Sequence, residues 1–268
     1  MTQRIAILGA GVMGETLLSA ILDSGHPVDA LVISEKRAER ADELRSTYGV
    51  SVTGNAEAVA DADVVLLVVK PQDVPALLDE IAPSVRPSAT VVSLAAGIRI
   101  EAMASALPDG VAVVRAMPNT PALVGEGMFG VSPGPDVTAE QLAAVVSLLE
   151  SGGRVVVVDE SRQDAVTAVS GSGPAYVFYL AEAMIAGGMA EGLDAETART
   201  LAAQTLVGAA KLLSESDATA EELRRRVTSP NGTTHAAIVT FDERGVKDGL
   251  VAGVAAAAAR SAELSGPA

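Results

Sequence analysis

Two turns rich in glycine and hydroxyl residues hold the groups of this 268-residue chain whose types and spacing suit chemistry. The first is Gly9-Ala10-Gly11-Val12-Met13-Gly14, directly after the apolar run Ile5-Ala6-Ile7-Leu8. Gly9 permits a tight turn, Gly11 lets backbone approach a pyrophosphate, and Gly14 lets a helix lie close on the strand. The unpaired amides of Val12 and Met13 at the helix start then meet the phosphates. A plain strand-to-helix turn uses the same glycines, but strand, glycines, helix and second strand inside roughly 30 residues favour a dinucleotide. The second turn is Thr228-Ser229-Pro230-Asn231-Gly232-Thr233-Thr234-His235, ahead of an apolar stretch at 236–241. Its hydroxyls and free amides at a helix start suit a carboxylate without needing a cation, and an elaborate N-cap would draw on the same residues.

Other candidates fall at predicted strand ends, where ligands of open α/β sheets bind. The second strand runs out in Ser34-Glu35-Lys36-Arg37. An acidic group there accepts from a free ribose 2′-hydroxyl, whereas Lys36 and Arg37 attract a 2′-phosphate, so the two signals conflict. NADPH is favoured, with NADH as the alternative. Lys70, in Val69-Lys70-Pro71-Gln72, borders the same ligand or simply ends a strand at the surface. The small residues Ser93-Leu94-Ala95-Ala96-Gly97 leave room for a ring at Ala95 and Gly97, or form an ordinary turn. Arg115-Ala116-Met117-Pro118-Asn119-Thr120-Pro121 has its course set by two prolines. Ser170-Gly171-Ser172-Gly173-Pro174-Ala175 is predicted to open a helix, with Ser172 or Gly173 as cap and glycines that admit a ligand.

Of the two histidines, His235 is a poor general acid, because a cation at a helix N-terminus is disfavoured. His26 reads as structural, and Asp61/Asp63 and Glu221/Glu222 read as solvated faces rather than acid–base dyads or metal ligands.

The elements that must position these residues follow from periodicity. Apolar, β-branched runs predict strands at 4–8, 30–33, 64–69, 90–93, 111–115 and 154–158, alternating with helical segments. Val64 to Val69 is apolar at every position, the pattern of a parallel strand buried on both faces. The expected fold class is therefore α/β, a Rossmann-like doubly wound parallel sheet over residues 1–160, followed by an all-helical domain over 161–268. Helical stripes there are Tyr176, Leu180, Met184 and Gly187; Leu201, Thr205, Gly208 and Leu212; and Val246, Leu250, Val254, Ala257, Ser261 and Leu264. With 2% aromatic residues these helices must meet through small side chains, and their wide apolar faces predict burial against a second subunit.

Composition narrows the function. A formal net charge of -15 repels phosphate backbones and anionic lipid, so neither nucleic acid nor membrane is an expected partner. Cys 0 removes disulfides, thiolate metal sites and cysteine nucleophiles and fits a reducing compartment. No apolar run approaches the ~20 residues of a membrane span, and the early glycines interrupt any signal-like segment, which predicts a cytoplasmic protein.

These motifs together resemble the pyrroline-5-carboxylate reductase family. The run 227–238 looks like its signature, supported by Gly9 to Gly14, Val69 to Gln72, Ser93 to Ile98, Arg115 to Gly127 with Val124-Gly125-Glu126-Gly127, and Ser170 to Ala175. The resemblance implies NADPH-dependent or NADH-dependent reduction of L-1-pyrroline-5-carboxylate to L-proline. It also implies a homodimer formed by the helical domain, with a decamer of dimers as the larger assembly. By the same resemblance Ser229 and the amides near Gly232 and Thr233 hold the substrate carboxylate. Thr234 lies near the ring nitrogen, in a positioning or water-relay role, Ser172 contributes to the substrate site, and Asn55 lies near the adenosine ribose. Two other classes share the motifs: a β-hydroxyacid dehydrogenase or general imine reductase, and a dinucleotide-binding regulator without turnover. The dehydrogenase needs a lysine base, and beyond Arg154 only Lys211 and Lys247 are present.

Overall fold

The computed structural model describes residues 2–266, which divide into two compact units: residues up to 172 with the segment from 257 onward, and residues 173–256. The first contains a single sheet of eight strands, β1 (Ile5–Leu8), β2 (Leu31–Ser34), β3 (Ser51–Thr53), β4 (Val64–Leu67), β5 (Thr90–Ser93), β6 (Ala112–Met117), β7 (Gly127–Pro133) and β8 (Gly153–Val157). Their order is β3-β2-β1-β4-β5-β6-β7-β8, and every neighbouring pair is parallel except β6 with β7. β1 lies between β2 and β4, with Ile5 paired to both Leu31 and Val64. Chain direction across the sheet therefore reverses at β1, and a crevice opens outside its carboxyl end.

Helices cover both faces. α1 (Val12–Asp23), α2 (Ala38–Tyr48), α3 (Asn55–Ala60), α4 (Val74–Ile81), α5 (Ile100–Ala106) and α6 (Ala139–Leu149) follow their strands in sequence. Side chains alternate along β1: Ile5 and Ile7 join one core with Leu17 and Leu18 of α1 and Val145 of α6. Ala6 and Leu8 join the other, with Val59 of α3, Leu78 of α4 and Met103 of α5. Burial on both faces is what a strand without a polar alternation requires.

Two strands, β3 and β7, escape the sequence expectation, and the antiparallel β6–β7 pair departs from an all-parallel sheet. β3 is short and only half-buried. β7 carries Gly127, Gly130 and Pro133, residues poor in strand propensity. Its glycines answer tertiary demands: a Cβ at Gly127 would lie 2.6 Å from the Gly152 carbonyl oxygen, and Val166 fills the space beside Gly130. The link from Met117 to Gly127 is too short for a crossover helix, so the chain returns antiparallel.

After β8 the backbone is already helical in α7 (Gln163–Val166) and a π-type turn over Thr167–Gly171 before α8 (Gly173–Ala190) begins. Ser172 lies between that turn and α8, so the helix expected to open within 170–175 does so at Gly173, and it follows a segment that is already helical. α9 (Ala195–Glu215), α10 (Ala220–Arg226), α11 (Thr233–Glu243) and α12 (Val246–Leu264) complete the chain. α11 starts at Thr233, three residues ahead of the expected apolar start.

In the second unit α8 and α9 meet at Gly188 and Ala198, where a glycine Cβ would lie 3.4 Å from the alanine Cβ. Small residues do permit the close approach. Much of the remaining apolar surface stays uncovered in the single chain: Phe178 is 63% exposed, Leu212 64% and Leu250 52%. Only Ala198 and Ala202 of this unit are buried among the described residues.

Candidate functional site

The glycine turn after β1 is built on three different constraints. Gly9 has φ +104, and a Cβ there would lie 2.6 Å from the Val68 carbonyl oxygen. A Cβ at Gly14 would run into the carbonyl of Gly9. Gly11 is different, with φ -68 and ψ -173 in the extended region and no atom within 4 Å of an added Cβ. The fold demands the first and third glycines, whereas only a ligand would demand the second. Gly11 is the N-cap of α1 and supplies no capping side chain. The first helical bond is Glu15 N to Gly11 O, at 3.0 Å. The amides of Val12, Met13 and Gly14 before it therefore have no protein acceptor among the described residues. Unpaired amides, a positive helix end and an unfilled approach at Gly11 together fit a pyrophosphate.

Residues the sequence did not single out hold this turn in place. The Arg40 guanidinium bonds the Ala10 carbonyl through Nε at 3.4 Å and forms ion pairs with Glu15 and Glu43. The Tyr48 hydroxyl donates to Glu15 at 3.0 Å. Burial first, and then the neighbouring Glu15 carboxylate, pushes the Tyr48 hydroxyl pKa up.

Beside the turn a cavity of about 350 Å³ opens at the carboxyl ends of β1, β2 and β4, lined in part by Gly9, Ser34, Asn55, Val69, Leu77 and Glu80. Asn55 is 7% exposed and uses its whole amide. Its Oδ1 accepts from Ser34 Oγ at 2.7 Å, and its Nδ2 donates to both oxygens of Glu80 at 3.0 Å. The Glu35 carboxylate folds onto Arg37, accepting from its backbone N at 2.8 Å and from Nε and Nη2 at 3.1 Å each. The Arg37 guanidinium holds the Glu35 carboxyl below its usual range despite partial desolvation. The conflict expected between Glu35 and Arg37 is thus largely settled between themselves.

The remaining first-unit candidates have mixed surroundings. Lys70 is exposed and caps the short 3-10 turn Pro71–Asp73 that precedes α4. Ala95 is buried, and its amide donates to Ser93 Oγ at 3.3 Å. Gly97 has φ +77, and a Cβ there would lie 3.3 Å from the Leu264 carbonyl oxygen, so the end of α12 already accounts for a glycine at that position. Asn119 joins two of the sequence motifs: its Oδ1 accepts from Met128 N at 2.8 Å, and its Nδ2 reaches the Ser170 carbonyl and hydroxyl at 3.3 Å. Met117 packs against Gly171 in the same place. Arg115 is buried and pairs with Glu160 at 3.3 Å, whose carboxylate also accepts from Ile100 N at 2.8 Å.

In the second unit the corner between α10 and α11 is a tight turn closed by Gly232 N to Ser229 O at 3.1 Å. Asn231 has φ 58, the only left-handed non-glycine residue among those described, as its type allows. Gly232 is the N-cap of α11, with no side-chain capping bond, and the first helical bond is Ala236 N to Gly232 O at 3.1 Å. No hydrogen bond occupies the hydroxyls of Ser229, Thr233 or Thr234, or the amides of Thr233, Thr234 and His235, among the described residues. Ser229 Oγ lies against Gly232 where a Cβ would otherwise sit. Such a set of idle donors at a helix start suits an anion, and no side-chain capping bond of the kind the sequence left as its alternative is formed there. His26 Nε2 bonds the Gln3 carbonyl at 2.9 Å, a structural role. Asp61 and Asp63 pair with Arg4 and Arg86, and Glu222 pairs with Arg226.

Comparison with known proteins points to one family. A family model described as pyrroline-5-carboxylate reductase dimerisation matches residues 160–264, and one described as NADP oxidoreductase, coenzyme F420-dependent, matches residues 4–97. The chain is 43% identical to a pyrroline-5-carboxylate reductase of Mycobacterium tuberculosis, with 97% of this chain and 96% of that protein covered. Among solved structures it is similar to a pyrroline-5-carboxylate reductase from Coxiella burnetii, with TM-score 0.95, 31% identity and complete coverage of both chains. It is also similar to the Plasmodium falciparum pyrroline carboxylate reductase with NADP bound, with TM-score 0.86, 26% identity and 98% of each chain covered.

Proposed function

The chain belongs to the pyrroline-5-carboxylate reductase family, and on that premise we propose that it reduces the imine of L-1-pyrroline-5-carboxylate to L-proline, the closing step of proline synthesis. A reduced nicotinamide dinucleotide, NADH or NADPH, supplies the hydride when bound. Gly9, Gly11, Val12, Met13 and Gly14 would hold its pyrophosphate, with Ser34 and Asn55 at the adenosine end and Lys70, Ala95 and Gly97 along the remaining strand ends.

The observation that carries the substrate side is the cradle at Ser229, Gly232, Thr233 and Thr234, where the three hydroxyls and the amides of Thr233 and Thr234 have no partner among the described residues. Ser229 Oγ and the Thr233 amide hold the substrate carboxylate beside Gly232, whose own amide closes the turn onto the Ser229 carbonyl, and Ser172 adds a further contact. Thr234 Oγ1 faces the ring nitrogen. A threonine hydroxyl is too weak an acid near neutral pH to protonate an imine outright, so Thr234 orients the ring and passes a proton from water. The chain's task is chiefly alignment, since a protonated imine is already electrophilic.

The chain assembles as a homo-oligomer. The finer proposal is a dimer built on residues 161–268, supported by the uncovered leucines and aromatics of α8, α9 and α12, with a decamer of dimers above it. We place the domain boundary for function at 160/161, where β-branched sequence ends and the dimerisation match begins. Among the described residues no helix is long and apolar enough to cross a membrane. With no cysteine in the chain, that supports the cytoplasm as its compartment, and an acidic surface argues against nucleic-acid or membrane partners.

The test is consumption of reduced nicotinamide by the purified protein with L-1-pyrroline-5-carboxylate, followed by absorbance, with formation of L-proline measured in parallel. Absence of turnover with this substrate, alongside turnover with a keto acid, would transfer the chain to the hydroxyacid dehydrogenases.

A further inference from the structure

The acidic residue at the end of β2 is, in sheets of this type, the group that accepts from a ribose 2′-hydroxyl. Here that residue, Glu35, has both oxygens committed to Arg37, which also neutralises its charge. Glu80 lies across the same cavity and has no cationic partner among the described residues; its hydrogen bonds there are the two from the neutral amide of Asn55. A carboxylate has about four acceptor sites, so Glu80 keeps capacity toward the cavity after bonding Asn55. Asn55 in turn is closed off on its other side by Ser34. The Ser34–Asn55–Glu80 chain therefore turns its donors inward and offers the cavity acceptors and one uncompensated negative charge. Two other charged groups line the cavity: Lys36, of opposite sign, and Asp73, of the same sign on the turn before α4.

We propose that Glu80 is a specificity-determining and positioning residue at the ribose end of the dinucleotide, accepting from a free 2′-hydroxyl, opposing Lys36 in its attraction for a 2′-phosphate, and fixing Asn55. The inference rests on the dinucleotide placement proposed above and names the group within that site that sets the balance between the two nicotinamide cofactors. The position comes from α4, well after the glycine turn, and its link to Ser34 passes through a residue 25 positions away.

The test uses two probes that differ only at the 2′-position, ADP-ribose and 2′-phospho-ADP-ribose, titrated calorimetrically into the full chain and into Glu80→Gln, Glu80→Ala and Gly11→Val. Glu80→Gln removes the charge but leaves an acceptor for Asn55; it is expected to improve 2′-phospho-ADP-ribose about tenfold relative to ADP-ribose, an advantage that shrinks as salt is raised. Glu80→Ala shifts the ratio in the same direction and also weakens ADP-ribose, because Asn55 loses its anchor. A ratio within twofold of the parent in both Glu80 variants, with Gly11→Val still losing both probes, overturns the role of Glu80 alone. If Gly11→Val binds both probes like the parent, or the parent binds neither, the dinucleotide placement fails and this inference with it. Matching circular dichroism and melting profiles of the variants exclude misfolding as the source of a changed ratio.

Discussion

Replacing Gly11 by valine separates the two reasons a glycine turn can need its glycines. The backbone at Gly11 already has dihedrals that a β-branched residue adopts readily, and no atom lies within 4 Å of the new Cβ. The cost to the fold is limited to a poorer N-cap on α1, roughly 0.5–1 kcal/mol. That is small against a domain stability of about 5–15 kcal/mol, so the variant remains folded. The isopropyl group, however, stands over the amides of Val12 and Met13. Hydrogen bonds from those amides to a charged pyrophosphate are worth roughly 1.5–3 kcal/mol each, and losing two costs about 3–6 kcal/mol. Affinity for the dinucleotide should accordingly fall by roughly a hundred- to ten-thousand-fold. Calorimetric titration of NADPH and NADH, beside a urea melt of the same sample, reads both quantities. Gly14→Ala is the contrasting control, because its new methyl meets the Gly9 carbonyl and damages the fold itself. A folded Gly11→Val protein that binds either dinucleotide within threefold of the parent would refute the argument from unpaired amides.

Thr234→Ala should lower turnover at least tenfold while leaving dinucleotide affinity intact, and steady-state rates beside calorimetry would show an unchanged rate if Thr234 has no part. Glu160→Ala leaves the buried Arg115 guanidinium and the Ile100 amide without their acceptor, a loss of about 3 kcal/mol by denaturant unfolding. Leu212→Arg and Leu250→Asp place charges on exposed apolar faces and should leave a smaller species in sedimentation without unfolding the first unit. The Glu35 carboxyl, lowered by its bond to Arg37, adds stability that is complete above its ordinary value of 4.5 and is lost as pH falls through the lowered folded value. Arg37→Gln should reduce that acid-side loss in melts taken across the range, and an identical pH profile would remove the pair from the stability account.

Where local pattern and tertiary role coincide, the chain is legible from its residues. Ile5 to Leu8 and Val64 to Leu67 are apolar throughout because helices bury both of their faces, and the turn after β1 announces itself by glycines at set spacing. Asn231 is of a type that tolerates a left-handed backbone, and it adopts one. β7 is hidden for the opposite reason: its glycines are there for Val166 and Gly152 to approach, which local propensity cannot report. The supports of the site are hidden too. Arg40, Glu80 and Asn119 act across separations of 30, 25 and 51 positions, through hydrogen bonds that leave no periodic trace. Gly97 illustrates a third case, a glycine expected beside a ligand whose immediate neighbour in the structure is the last helix of the chain.

The acidic character of the protein bears on why both proposed binding turns take the same form. A chain with a net charge of -15 must accept a dianionic pyrophosphate and a carboxylate, and long-range repulsion opposes both. Cations beside each anion would solve this, but in a surface dominated by carboxylates they pair internally, as Arg37 does with Glu35 and Arg40 with Glu15 and Glu43. Backbone amides cannot be neutralised in that way. At Gly11 and at Gly232 a helix begins without a side-chain cap, so its first amides stay available and its dipole adds positive potential at short range. Substituting a capping serine or aspartate at either glycine would strengthen the helix and occupy the donors, trading stability of the element against affinity for its anion. Glycine at both N-caps is thus a local weakness of the helix that the proposed binding of the two ligands at these turns would explain.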